Sequence, residues 1–349
     1  MKIAACGNVC MDITPSFPEG KTGNVFTPGA MVTVGAADMH TGGSVANTGL
    51  ALKIFGADVT LIAKVGKDDF GSAIKNIFNE YGCGDGIITD KSLSTSYSVI
   101  MAPPGIDRII FHNTGANDSF YCDDIPDSAL DGVGLFHFGY PPLMKSMFEN
   151  GASELIKLFT RIKNMGIETS LDMAFFDENA PAAKEDWVEI LKKVLPLTDI
   201  FLPSAEEILR MAERENFERI RSKAGSGDLI DSIDIEKDIK PLANKLIIWG
   251  AKNVVIKCGH KGMVYANKDK CIFTTCYKPE KIYSATGAGD VSIAGFLMAY
   301  SKGFEPEKCL ECASAAGALS LGAYNALGAL TSFDKLLLKM ENWEKAQWK

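Results

Sequence analysis

The sequence predicts an α/β protein in three layers, α/β/α, with a mostly parallel central sheet and a small added β-sheet lid. Three observations carry this expectation. Strand-like and helix-like runs alternate almost from end to end, the pattern of parallel strands joined by helical crossovers. Two segments, 24–39 and 95–113, are β-rich with no helix between their strands. The chain has 349 residues, and at roughly 150 residues per domain that allows two domains or one large domain with an insertion. We read 1–349 as one domain, with a lid built from two inserted segments at about 13–40 and 95–115.

Residues 2–6 read as a buried strand, and 44–55 as a helix with Ser44 as N-cap and Gly56 as its stop. Residues 59–63 are a strand, and 69–81 a helix that starts acidic and ends at Gly82. Then come a strand at 135–138, a helix at 152–164 and a strand at 169–172. Apolar spacing predicts helices over 187–194, 205–213 and 241–249, with strands at 200–202 and 254–257 between and after them. In the second β segment, 98–102 and 108–111 flank Pro103-Pro104-Gly105, a hairpin signal. The charged, Gly/Ser-broken stretch 214–240 reads as a surface excursion. Cys312 to Phe333 carries no charge, but its Ala, Gly and Ser are too weakly apolar for a membrane span. A buried helix followed by a glycine-rich loop is expected there. No internal repeat is present.

Composition removes several function classes. Hydrophobic residues are 46% and charged residues 23%, which excludes a mostly disordered chain. The net charge is −8 and no dense Lys/Arg run occurs, against a nucleic-acid partner. Nine cysteines and an N-terminal stretch without the pattern of a signal peptide point to free thiols and the cytoplasm. Cys309/Cys312 and Cys271/Cys276 lack a second pair at zinc spacing.

The strongest chemical signal is Ala285-Thr286-Gly287-Ala288-Gly289-Asp290, followed by an apolar helical run. A glycine turn at a helix start lets backbone N–H groups converge on one point at the positive end of the dipole, an anion hole. Asp290 then stands where it can take a proton from an attacking hydroxyl. The same residues also fit an Asp N-cap on a glycine turn. The second signal is Gly42-Gly43-Ser44-Val45-Ala46-Asn47, two glycines and an amide at a helix mouth, suited to sugar hydroxyls and equally to an ordinary helix start. Asp12, after the first strand, is a third piece. Neither a Walker A loop nor a G-x-G-x-x-G fingerprint is present, which argues against a dinucleotide oxidoreductase.

With these pieces in this order, the chain resembles the ribokinase-like, or PfkB, family of carbohydrate kinases over nearly its whole length. Thr286-Gly287-Ala288-Gly289-Asp290 looks like that family's second signature. Gly42-Gly43 with Asn47, then Gly56, Val65-Gly66 and Asp69-Phe70-Gly71, look like its first. The resemblance implies Asp290 as general base, with Gly287, Ala288 and Gly289 donating backbone N–H groups to the transferring phosphoryl. It implies Asp12, Gly42, Gly43 and Asn47 as sugar binders. It places Thr286, Lys257, Gly259, Gly262, Ser204 and Ser314 near the nucleotide, Ser314 at the adenine, and Glu207 on Mg²⁺ through water. The implied cofactors are ATP and Mg²⁺, with K⁺ a candidate activator. Three positions depart from the family: Ser284 and Cys10 stand where Asp and Asn are common, and Ser204 where the Asn of Asn-x-x-Glu is expected. These bear on ion details and on ribose as substrate, not on the base.

The resulting expectation is an ATP-dependent kinase for a hydroxymethyl group of a small sugar, partnered by neither nucleic acid nor membrane, dimerising through its lid. The alternatives are a nucleoside kinase, with Phe26, Met31, Tyr97 and Phe111 as an apolar base pocket, a phosphosugar kinase using Arg108 or Lys67, and a non-catalytic sugar or nucleotide sensor.

Overall fold

The computed structural model describes residues 1–18, 28–29, 31–103 and 109–346. In chain order the strands are β1 (Lys2–Gly7), β2 (Cys10–Pro15), β3 (Ala37–Gly42), β4 (Val59–Gly66), β5 (Ile87–Asp90), β6 (Tyr97–Met101), β7 (Ile109–Asn113), β8 (Val133–Gly139), β9 (Glu168–Leu171), β10 (Ile200–Phe201), β11 (Asn253–Lys257), β12 (Met263–Asn267) and β13 (Cys271–Thr274). Among the described residues, nine of them form one sheet in the order β13-β12-β11-β10-β9-β8-β1-β4-β5. It is parallel from β11 to β5, with β12 and β13 added antiparallel at one edge.

Strand alternation accounts for the three layers. In β1, Ala4 and Cys6 join one hydrophobic core, while Ile3 and Ala5 join a second on the opposite face. The first core takes the helices Lys145–Asn164, Trp187–Val194, Ala205–Ala212 and Lys240–Ile248. The second takes Leu50–Ile54, Asp69–Glu80, Ala288–Ser301, Pro306–Ser320 and Phe333–Met340. Helices on both faces explain why β1, β4, β8 and β11 are each buried at all but one position.

The remaining strands form a second sheet, β3-β2-β6-β7. β2 pairs antiparallel with β3 and parallel with β6, and β6 pairs antiparallel with β7. This is the expected small second sheet; β6 and β7 fall within the segment 95–115 assigned to the lid, while β2 begins before the segment 13–40, at Cys10, and β3 ends just past it, at Gly42. The turn at Pro104-Gly105, along with Phe26 and Arg108, lies outside the described residues.

Two local expectations are corrected. Ser44 is not an N-cap: its backbone is already helical (φ −63°, ψ −38°) and its side chain caps nothing. Gly43, at φ +84°, folds the chain so tightly against Asn8 and Val9 that the helix begins one residue early. It opens as a π-helical turn, Val45–Gly49, before Leu50–Ile54. The stretch 214–240 is not a surface excursion. It folds into Arg214–Ala224, Leu229–Ser232 and Ile235–Ile239, and Phe217, Ile220, Ile230 and Ile239 enter the first core. Beyond the uncharged stretch at 312–333, the helix Phe333–Met340 and the β12–β13 hairpin had no counterpart in the sequence reading. No helix among the described residues is long and apolar enough to cross a membrane.

Candidate active site

The parallel strands end on one side of the sheet, and the functional side chains collect there. Asn8 follows β1, Tyr140 follows β8, Asp172 follows β9, Ser204 lies just past β10, and Lys257 ends β11. In open α/β sheets this carboxyl edge is where ligands bind.

Asp290 lies in the first turn of Ala288–Ser301 and is 3% exposed. Its Oδ2 accepts from Asn47 Nδ2 at 3.0 Å. The Tyr140 hydroxyl lies 2.8 Å from both Oδ1 and Oδ2. The Thr48 hydroxyl donates to the Asp290 backbone carbonyl at 3.2 Å. The two motifs singled out at opposite ends of the chain are therefore joined by direct hydrogen bonds. Burial pushes the Asp290 carboxyl above the usual carboxylate range, while donation from Tyr140 and Asn47 and the nearby Lys257 charge pull it back.

Gly287 takes φ +75°, a left-handed conformation suited to glycine. A Cβ there would stand 2.5 Å from Ala326 Cβ and 3.3 Å from Asn47 Nδ2, so the loop at 324–328 backs the turn. The N–H of Ala288 already donates to the Ala285 carbonyl at 3.2 Å. Among the described residues, the N–H groups of Gly287 and Gly289 carry no such bond. Thr286 N–H donates to Ser284 Oγ at 3.1 Å, so the departing Ser284 helps tie the turn.

Beneath Gly289 runs the Lys257 side chain, its Cε 3.7 Å from where a Cβ would sit. Its Nζ lies 2.7 Å from Asp172 Oδ1 and donates to the Leu202 carbonyl at 2.6 Å. Burial works most strongly against the ammonium, but Asp172, Glu207 and Asp290 together outweigh it and hold Lys257 above its usual range. Glu207 lies within electrostatic reach of Lys257, Asp172 and Asp290. It also closes a capping box: Ser204 N–H donates to Glu207 Oε2 at 2.7 Å, and Glu207 N–H to Ser204 Oγ at 3.4 Å. Ser204 thus serves as a helix cap where the family pattern has Asn.

Gly259 and Gly262 form the turn from β11 to β12, and a Cβ on Gly262 would collide with the Thr274 carbonyl. Ser314 is buried and its hydroxyl accepts from Tyr277 N–H (3.1 Å) and bonds the Thr275 carbonyl (3.3 Å), tying Pro306–Ser320 to the segment after β13. Cys276 Sγ, between them, contacts the Gly259 carbonyl at 3.3 Å, so these nucleotide candidates border one another.

At the lid's root, a Cβ on Gly42 would collide with the Asp12 carboxylate, and on Gly43 with the Asn8 amide. Asp12 is 8% exposed and accepts from Cys10 Sγ at 3.2 Å. Strand register places Asp12 opposite His40 on β3 and Ser98 on β6, with Ser98 opposite His112 on β7. Directly paired residues share a face, so His40, Asp12, Ser98 and His112 form one polar row across the lid. Ser98 Oγ lies 3.1 Å from His112 Nδ1. A cavity of about 210 Å³ opens alongside, with His40, Thr41, Asn47 and Asn325 among its lining.

The sequence reading missed Tyr140, Asp172, Asn8 and the lid row. Asn8 is buried with its Nδ2 unpartnered among the described residues. The available signal was position: Asn8, Tyr140 and Asp172 each follow a buried strand of a parallel sheet.

A family model described as pfkB family carbohydrate kinase matches residues 3–331. A cytidine kinase of Thermococcus kodakarensis is 25% identical over 327 residues, 89% of this chain and 92% of that one. A 2-dehydro-3-deoxygluconokinase of Thermoproteus tenax is 27% identical over 320 residues, 88% of each. Among solved structures, Arabidopsis thaliana ribokinase complexed with ribose and ATP superposes with a TM-score of 0.76 at 20% identity, covering 97% of this chain and 98% of that one.

Proposed function

The chain belongs to the pfkB family of carbohydrate kinases, phosphotransferases with an alcohol group as acceptor, and from that premise we propose that it transfers the γ-phosphoryl group of ATP to a hydroxymethyl group of a small, unphosphorylated sugar. The observation that carries this reading is the Asp290 carboxylate, buried at a helix mouth beside open N–H donors and held by Asn47 and Tyr140.

The acceptor hydroxyl gives its proton to Asp290 as its oxygen attacks the γ-phosphorus. Phosphoryl transfer runs through a loose transition state, so positioning and charge neutralisation dominate. Charge on the equatorial oxygens meets the N–H groups of Gly287 and Gly289 and the positive end of the Ala288–Ser301 dipole. One such donor is worth about 10²–10³ in rate, and a general base about 10²–10⁴.

Asp172, Glu207 and Asp290 all face the Lys257 ammonium. A polyphosphate approaches such a site only with counter-charge of its own, which fits a nucleotide that arrives with Mg²⁺. Among the described residues no group of three or more His, Cys, Asp or Glu side chains stands ready to hold a metal. The ion would ride on the phosphates and neutralise their charge, with Glu207 reaching it through water. K⁺ activation belongs to the same proposal.

The lid row of His40, Asp12, Ser98 and His112 supports a polyhydroxylated acceptor. Identity with the cytidine kinase favours a nucleoside as the second reading. That reading needs apolar walls, yet Met31 is 94% exposed and Phe111 is exposed on β7. We extend the proposal to a cytoplasmic homodimer joined through the lid, where Ile110, Phe111 and Met39 are exposed.

ATP-to-ADP turnover over sugars, polyols, phosphosugars and nucleosides tests the substrate class. Turnover confined to free sugars is expected. Turnover of nucleosides alone moves the assignment to the second reading. Ligand-induced thermal stabilisation without any turnover supports a sensor instead.

A further inference from the structure

Among the described residues, Tyr140 makes shorter hydrogen bonds to the Asp290 carboxylate than Asn47 does, 2.8 Å against 3.0 Å. It leaves β8 between Gly139 and Pro141-Pro142 with φ +67°, a left-handed conformation disfavoured for any residue with a Cβ. Such strain persists only where the surroundings hold it. Here two prolines follow, and Pro141 and Pro142 are buried. The outcome is a phenol whose oxygen lies 2.8 Å from both carboxylate oxygens of Asp290.

The two oxygens are not equivalent. Oδ2 also accepts from Asn47 at 3.0 Å, whereas among the described residues Oδ1 has Tyr140 as its hydrogen-bond neighbour. We propose that Tyr140 is the positioning residue of the phosphoryl transfer, its hydroxyl setting the Asp290 carboxylate so that Oδ1 takes the acceptor's proton. This rests on the kinase reading above. The acceptor O–H bond breaks with its proton going to Oδ1. The freed electron pair on oxygen forms the new O–P bond, and the bond from phosphorus to the ADP oxygen breaks.

The other groups facing Asp290 do not duplicate this hold. Asn47 reaches only Oδ2. Lys257 is engaged by Asp172 and the Leu202 carbonyl. Glu207 is itself a carboxylate and acts against an ionised Asp290, while burial lifts the Asp172 carboxyl to about 8, so neither supplies a donor to Oδ1. A hydrogen bond donated to the ionised form favours that form, so Tyr140 keeps the base available at lower pH.

Tyr140→Phe removes the hydroxyl and keeps the ring. The acidic limb of the kcat/KM profile is expected to move up by about one pH unit, the scale of a lost hydrogen bond to a charged group. The loss is then about tenfold at the acid end and shrinks as pH rises. A purely structural role would lower the rate equally at every pH. Carboxyl ¹³C titration of aspartate-labelled protein reads the same shift without substrate, the Asp290 resonance being assigned by its absence from Asp290→Asn. A pH-independent loss, or an Asp290 titration unchanged in the phenylalanine variant, overturns the proposal. If wild type turns over no acceptor while the ¹³C shift stands, the hold of Tyr140 on Asp290 is upheld and the kinase reading alone fails.

Discussion

Gly287→Ala is the most informative single substitution in the turn that is to receive the phosphoryl group. At φ +75° an alanine suffers left-handed strain, on the order of 1–2 kcal/mol. Its Cβ would also sit 2.5 Å from Ala326 Cβ and 3.3 Å from the Asn47 amide. Both neighbours are constrained, because Ala326 is buried and Asn47 is bonded to Asp290. The turn must therefore move, which displaces the Gly287 N–H and disturbs the Asn47–Asp290 contact together. The expected result is a loss of about 2 kcal/mol in stability, from strain plus the forced contact, and about 10²–10³ in kcat, the worth of one anion-hole donor. Gly289→Ala is the control two residues on. Its Cβ would meet only Lys257, at 3.7 Å and 3.9 Å, and its φ is not left-handed. Inside a helix, alanine replaces glycine at a gain of up to about 1 kcal/mol. Denaturant unfolding of both variants, with kcat measured in parallel, checks the pair. If Gly287→Ala is as stable and as active as wild type, or if the two variants lose stability equally, the account of the turn is wrong.

Lys257→Met leaves the Asp172 carboxylate buried without its 2.7 Å counter-charge. Removing one partner of a buried pair costs about 3–5 kcal/mol, and Asp172→Asn added to it is expected to restore most of that loss. A double variant no more stable than Lys257→Met would contradict the pairing. For the lid dimer, the mass in solution at micromolar concentration is expected to be twice that of the chain and to halve when Phe111 and Ile110 are changed to Asp. A monomeric wild type would refute it.

Much of the site was legible because its parts are local. The glycine turn and Asp290 occupy six adjacent residues, and Gly42, Gly43 and Asn47 another six. Turn and helix chemistry within such spans can be read from residue type. The helix Trp187–Val194 was readable to its ends because a local bond sets its start, Asp186 Oδ1 accepting from Glu189 N–H. Tyr140 was not legible, since its partner lies 150 residues away and a tyrosine after a strand is ordinary in itself. Nor was the lid row, which exists only through the register of four strands. Ser44 misled because a good capping residue was overruled by the tight approach of Gly43 to Asn8. The helices of 214–240 were hidden by Gly225 and Gly227 and by a high charge density. Sparse apolar residues at Phe217, Ile220 and Ile230 nonetheless suffice to dock them.

The central claim is that Asp290 is the base of a phosphoryl transfer to a sugar hydroxyl. The most direct test compares ADP release by wild type and Asp290→Asn with Mg²⁺-ATP and the acceptor that the substrate panel identifies. The account predicts turnover by wild type and a fall in kcat of about 10²-fold or more in the variant, with acceptor-induced thermal stabilisation retained. A variant within about threefold of wild type at saturating acceptor, well below the worth of a general base, would contradict it.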